Sequence, residues 1–276
     1  MKHKGIVFST EYRDWHESLY PLLDRAGLTG GIASGDDKSP DFRQVLIKPN
    51  LVEALAPPVT TPVELVEALV DYIREKVPDV RIIIGEGCGS LAYDTFYCFK
   101  ELGYTRLAEQ KGVALLDLNV EKCVALKNSI CRRWPVMMLP EIIFDSFLLS
   151  VPVLKAHSLA SVTLTMKNMM GTAPPAHYQE DGAWKKASFH NRMQESILDL
   201  NCYRTPDFTV LDASIGMAES HLRGPPCSPP VNILSAGWDP VAIDAYGAKL
   251  LKKKWQNIGH IAKADGLLGK ADYSLM

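Results

Sequence analysis

The chain has 276 residues, 47% hydrophobic and 22% charged, the balance of a folded globular protein long enough to bury a large core. Its formal net charge of -2 provides no global positive field, which argues against sequence-independent binding to DNA or RNA. Neither the N-terminal MKHKGIVFSTEYRDW nor the interrupted apolar run Ile142 to Leu154 is long and apolar enough for a signal peptide or a membrane span, so a cytoplasmic, non-membrane protein is expected.

In chain order, the sequence predicts a short strand over Gly5 to Ser9, a helix over Trp15 to Ala26 and a polar loop over Ser34 to Pro40. VLIKPN (Val45 to Asn50) reads as a buried strand, followed by a helix that Thr60 or Thr61 caps and Pro62 opens, with Val63, Val66, Leu69, Val70 and Ile73 at helical spacing. A strand over Val80 to Ile84 leads into the Gly-rich GEGCGS. Helices near Tyr93 to Leu102 (stopped by Gly103) and Leu107 to Lys111 come next, then a strand over Val113 to Asn119. Beyond these lie strands over Phe144 to Pro152, Phe208 to Ala213 and Val231 to Ala236. Helices are expected over Ser161 to Met170, stopped by Gly171, over Asn191 to Leu200, and over Asp239 to Leu251, where Asp239 caps and Pro240 opens. No repeat, linker or low-complexity tract interrupts this rhythm. The expectation is a single α/β domain over 1–276: a mostly parallel sheet flanked by helices, with an irregular segment over Gly171 to Ser188 laid across the strand ends.

Open α/β sheets bind ligands beyond the carboxyl ends of their strands. Four predicted strands here end in polar groups: Lys48 and Asn50, Glu86 and Ser90, Lys155 and His157, and Asp212. Each alone is as well explained by a turn or a cap, and GEGCGS matches neither the dinucleotide fingerprint nor a P-loop. Together they can converge on one crevice. Lys155 leaves the apolar run FLLSVPVL, where an ammonium needs an anion or carboxylate partner. His157 can be a general base, a metal ligand or a satisfied core histidine. Lys167 and Asn168 end the next predicted helix, where the lysine can simply complement the helix dipole. His157, His177 and His190 are the candidate metal ligands, although no H-x-x-x-H or H-E-x-x-H spacing joins them. None of the six cysteines forms a C-x-x-C pair or a ferredoxin-type run, so buried thiols are the expected state.

The ordered motifs IKPNLV, TTP, GEG, LGY, VPVLKAH, TLTMKNMMG, DLN, LDA, RGPP and DPVAID, from Val45 to about Leu251, resemble the family known as domain of unknown function 362. The pair VPVLKAH and MKNMMG is the specific part of the likeness. Lys48, Asn50, Lys155, His157, Lys167, Asn168, Asp212, Gly224, Pro225, Asp239 and Asp244 match the family's motif residues. Some members carry an added ferredoxin-like cysteine module, which links that family to iron-sulfur chemistry; this chain has no such module.

These features point to an enzyme acting on a small carboxylate- or phosphate-bearing molecule. Catalysis would fall to His157 as acid/base, Lys155, and Asp212 holding the His157 tautomer. Lys48, Asn50, Lys167, Asn168 and Arg223 would bind substrate. The alternatives are a non-catalytic binder of an anionic metabolite or metal, and a redox or iron-sulfur-associated protein. The sequence names no cofactor. A mostly apolar exposed face would support a homodimer.

Overall fold

The computed structural model describes residues 3–33 and 44–276, so the loop expected over Ser34 to Pro40 lies outside the described residues. The chain opens with strand β1 (Ile6–Glu11) and helix α1 (Trp15–Ala26). Asp14 caps that helix by accepting from the amides of His16 and Glu17, and Gly27 ends it at a φ of 69°, in the left-handed region. A short helix, α2 (Leu28–Ala33), precedes β2 (Gln44–Pro49), α3 (Val63–Lys76), β3 (Arg81–Glu86), α4 (Thr95–Glu101), α5 (Tyr104–Lys111) and β4 (Ala114–Asp117). A separate antiparallel hairpin, β5 (Cys123–Lys127) with β6 (Val136–Pro140), follows. The main sheet resumes with β7 (Phe147–Val151), which Pro152 separates from β8 (Val153–His157), and β9 (Ser161–Thr163) folds back on β8. Then come α6 (Thr165–Asn168), α7 (Pro175–Tyr178), α8 (Met193–Tyr203), β10 (Phe208–Met217), β11 (Ile233–Gly237), α9 (Pro240–Leu250), α10 (Gly259–Ala264) and β12 (Ser274–Leu275).

Five strands run parallel in the order β4-β3-β2-β7-β10; β11 is antiparallel to β10 and to β1, and β12 lies parallel to β1. The architecture is the expected mostly parallel α/β sheet flanked by helices. Neighbouring residues of each central strand serve opposite cores, as the period of two requires. Val45 and Ile47 pack with α1, α3, α4 and α5 on one side, whereas Leu46 and Leu148 pack with α8, α9 and α10 on the other.

Some local expectations are corrected. Neither Thr60 nor Thr61 caps α3; Pro62 occupies the cap position without a side-chain bond. Thr61 Oγ1 instead donates to Val151 O (2.7 Å) and accepts from Asn50 N (2.8 Å), tying the end of β2 to the end of β7. The helix expected over Ser161 to Met170 divides into strand β9, four-residue α6 and a 3-10 turn (Met169–Thr172), because Ser161 to Thr163 finds a strand partner in β8. Gly171 lies inside that turn and does not stop it. Asp239 does cap α9, accepting from Val241 N and Ala242 N through Oδ1. Its Oδ2 accepts from Gly5 N and Lys270 N, so the same carboxylate fastens both ends of the chain to the helix.

Candidate functional site

The chain fills the sheet outward from β2 in one direction (β3, β4) and then returns to place β7 on the other side of β2. This reversal is a topological switch point, and the crevice beyond it is where such sheets hold ligands. A cavity of about 300 Å³ opens there. Its wall takes Asn50 from beyond β2, Glu86, Gly87 and Gly89 from β3 and its loop, Lys155 and His157 from β8, and Lys167 and Asn168 from α6. Gly171, Trp184 and Lys186 enter from the segment laid over the strand ends, His190 from just beyond it, and His221 from the β10–β11 loop.

The floor is one connected polar network. Register places Lys48 beside Ser150 across the switch point, with their side chains on the α6 face. Lys48 Nζ is fully buried and donates to Glu86 Oε2 (2.9 Å), Asn168 Oδ1 (3.2 Å) and Pro49 O (3.1 Å), which uses all three of its protons. Glu86 also accepts from Leu51 N (3.1 Å) and Gly87 N (2.8 Å). Asn168 Nδ2 donates to Ser150 Oγ (3.0 Å) and Lys48 O (3.3 Å), while its Oδ1 also accepts from Asn50 Nδ2 (2.9 Å). Asn50 Oδ1 accepts from Lys155 Nζ (2.8 Å), which donates a second time to Val59 O (2.6 Å). The chain of contacts Glu86–Lys48–Asn168–Asn50–Lys155 therefore links β3, β2, α6 and β8. Gly171 seats directly over it: a Cβ there would strike the Glu86 carboxylate and the Lys48 ammonium.

The roof is fastened to the β3 loop. Lys185 N donates to Gly89 O (3.0 Å), and its Nζ donates to Tyr93 O (2.6 Å) and Cys88 Sγ (3.1 Å). Buried Lys186 donates to Asn119 Oδ1 and to Cys88 O (3.5 Å). Lys167 is different. Its ammonium makes no hydrogen bond or ion pair with any described residue, and it reaches the cavity from a partly buried position. Burial, reinforced by Lys48, lowers its pKa to about 8; burial lowers that of Lys186 to about 7, although Glu86 opposes the shift. Lys155 is pushed well below the ordinary lysine range by burial and then by Lys167.

His157 is held in one tautomer. Its Nδ1 accepts from Leu159 N (3.1 Å) and Ala160 N (3.2 Å), which leaves the proton on Nε2, an atom with no partner among the described residues. His221 stacks on the ring at 3.9 Å between centroids and 22° between planes. Burial, and after it Lys167, His221, His190 and Lys155, hold the imidazole far below its usual pKa, so it stays neutral and presents an N–H to the cavity.

Of the ten residues given a catalytic, binding or metal-ligand role in the sequence, the structure brings together Lys48, Asn50, Lys155, His157, Lys167, Asn168 and His190. It does not bring in the other three. Asp212 lies beside a second hollow with Tyr12, Trp15 and Pro57, where its Oδ1 accepts from Ser214 N (2.9 Å) and Ser214 Oγ (2.6 Å). Backbone amides, and not Asp212, fix the His157 tautomer. Arg223 and His177 are exposed and do not line the cavity. Nor do the histidines form a metal set: among the described residues no three His, Cys, Asp or Glu side chains converge, and all six cysteines are free. Lys186, His221 and Asn119 went unread in the sequence. Lys186 had a signal, a Lys-Lys pair after Trp184 in the segment expected to cover the strand ends, and Asn119 had one at the end of the strand predicted over Val113 to Asn119; His221 had none.

No curated protein matches this chain. Among solved structures, the lactate racemase apoprotein from Thermoanaerobacterium thermosaccharolyticum superposes with a TM-score of 0.52 over 92% of this chain, at 13% sequence identity, which is a likeness of fold. The match covers 57% of that protein's own length. The sequence model of the family described as domain of unknown function (DUF362) matches residues 45–249, the span over which the motif order resembled it, and the chain belongs to that family.

Proposed function

We propose that the protein is an enzyme that binds a small carboxylate or phosphate in the switch-point cavity and moves a proton on it. One observation carries this reading: Lys155, Lys167 and Lys186 line the cavity above Lys48, and among the described residues its one lining carboxylate is Glu86, which Lys48 already neutralises. Burying and crowding these amines together lowers their pKa values, and an entering anion favours their charged forms and pairs with them. Lys155 and Lys186 each have two of three N–H groups bonded to the protein, leaving one apiece for a substrate oxygen. Neutral His157 donates through Nε2 to a substrate hydroxyl or carbonyl oxygen, the role of an electrophile more than of a base. Lys167, with no partner among the described residues and a lowered pKa of about 8, is the group able to accept the proton. The fold neighbour's name, a racemase of a small 2-hydroxy carboxylate, accords with this substrate class.

The test is to incubate the protein in deuterated water with a panel of small 2-hydroxy acids, 2-oxo acids and sugar phosphates, followed by proton NMR. Exchange or interconversion at the carbon beside the anionic or carbonyl group is expected, and its rate should fall about 100-fold in His157→Gln. Binding of panel members without any conversion would make the protein a carrier or sensor of the same anions.

A further inference from the structure

The three lysines that line the cavity and Lys48 beneath it differ in how many of their protons the protein engages. Lys48 has all three engaged, Lys155 and Lys186 two each, and Lys167 none by any described residue. An amine bound into a hydrogen-bond network is fixed in position and turned toward its protein acceptors, away from an incoming electrophile. An amine that borders a cavity and has no internal acceptor is free to lose its proton and attack. The backbone supports this placement. Asp244 Oδ1 and Oδ2 accept from Thr165 N (2.7 Å) and Met166 N (3.0 Å), so α6 is anchored at its first turn and the Lys167 stem is set by a buried carboxylate.

We propose that Lys167 is a Schiff-base nucleophile, and that the substrate class of this site is a small carbonyl compound bearing a carboxylate or phosphate. The inference rests on the anion-binding reading above and adds the electrophile; on a carbonyl substrate Lys167 is the nucleophile in place of the proton acceptor. The amine of Lys167 adds to the carbonyl carbon, forming the C–N bond, and a nitrogen proton moves to the carbonyl oxygen to give a carbinolamine. That hydroxyl leaves with the second nitrogen proton as water, and the C=N bond remains. Nothing is oxidised or reduced, and no co-reactant is needed. Lys155 and Lys186 attract the anionic end, and His157 Nε2–H polarises the carbonyl oxygen before attack. With the amine's pKa held near 8, about a tenth of it is neutral and nucleophilic at pH 7.

The experiment traps the imine. The purified chain is incubated with pyruvate, or separately with dihydroxyacetone phosphate, and sodium borohydride is added. Intact mass and peptide mapping then locate the reduced adduct in the wild type and in Lys167→Arg, which keeps the charge and cannot form the bond. A single borohydride-dependent adduct on Lys167, reduced about tenfold or more in Lys167→Arg, is expected. The arm that labels tells the carboxylate from the phosphate. No adduct on Lys167 with either compound, or equal labelling of the variant at other lysines, overturns the proposal. Melting curves with lactate and inorganic phosphate, which carry no carbonyl, separate the two claims. If they stabilise both proteins while no adduct forms, only the imine is refuted; if neither stabilises the wild type and no adduct forms, the anion site falls as well.

Discussion

Replacing Lys48 by methionine tests the network beneath the cavity. Methionine nearly matches the length of the lysine stem, so the change removes a charge and little volume. Lys48 is 0% exposed and Glu86 2%, and their ion pair is 2.9 Å long. In the variant Glu86 keeps two backbone amide donors but loses its counter-ion, and Asn168 Oδ1 loses one of two donors. Leaving one member of a buried pair alone costs about 3–5 kcal/mol. For a chain of this size that lowers the melting temperature on the order of 10 °C. Replacing both members removes the stranded charge, so Lys48→Met/Glu86→Leu should recover to within about 2 kcal/mol of the wild type. Urea unfolding of the two single variants and the double variant closes the cycle. A Lys48→Met loss below about 1 kcal/mol, or a double variant worse than the sum of the singles, would show that the pair does not organise this floor.

Lys167 should behave in the opposite sense. Its folded pKa of about 8 lies below the ordinary 10.5, so the folded state holds fewer protons than the unfolded one between those values. The wild type should therefore gain stability as pH rises from about 8 towards 10.5, whereas Lys167→Met, more stable than the wild type at pH 7, should lose that advantage over the same window; paired thermal melts across pH check the sign. Gly171→Ala should destabilise the protein by about 1–3 kcal/mol in denaturant titrations and abolish anion-dependent stabilisation, because its Cβ meets Glu86 and Lys48. Asp239→Ala should lower stability by about 3 kcal/mol, since four backbone amides lose their acceptor. The fraction that remains folded should still bind anions as the wild type does, which calorimetric titration would check.

Much of the fold was legible because the strands are apolar runs bounded by turn chemistry and helices α1 and α9 begin at capping aspartates. Helix α1 falls where the sequence placed it, with Asp14 and Gly27 marking its limits, and Asp239 and Pro240 mark the start of α9. Strand β9 was misread as helix because its identity depends on pairing with β8, a tertiary contact that overrides the local pattern. The site divides along the same line. Lys48, Asn50, Lys155 and His157 were found because they end apolar strands, and the end of a parallel strand has a known place in such a fold. Asp212 also ends an apolar stretch, but β10 continues to Met217 and carries its carboxylate to a different hollow. His221 reaches the cavity from the β10–β11 loop, whose path only the folded chain defines. The unpartnered state of Lys167 is likewise invisible in sequence, because it concerns the groups that do not approach the ammonium.

The most direct measurement of the central claim is the melting temperature of the wild type and Lys167→Met at pH 7 against increasing lactate, pyruvate and inorganic phosphate at constant ionic strength. The account predicts a saturable rise with at least one anion, equivalent to about 2.7 kcal/mol at a hundredfold excess over Kd, with the midpoint moved roughly tenfold higher in the variant. No rise with any of them, or the same rise in both proteins, would contradict an anion site built on this cavity.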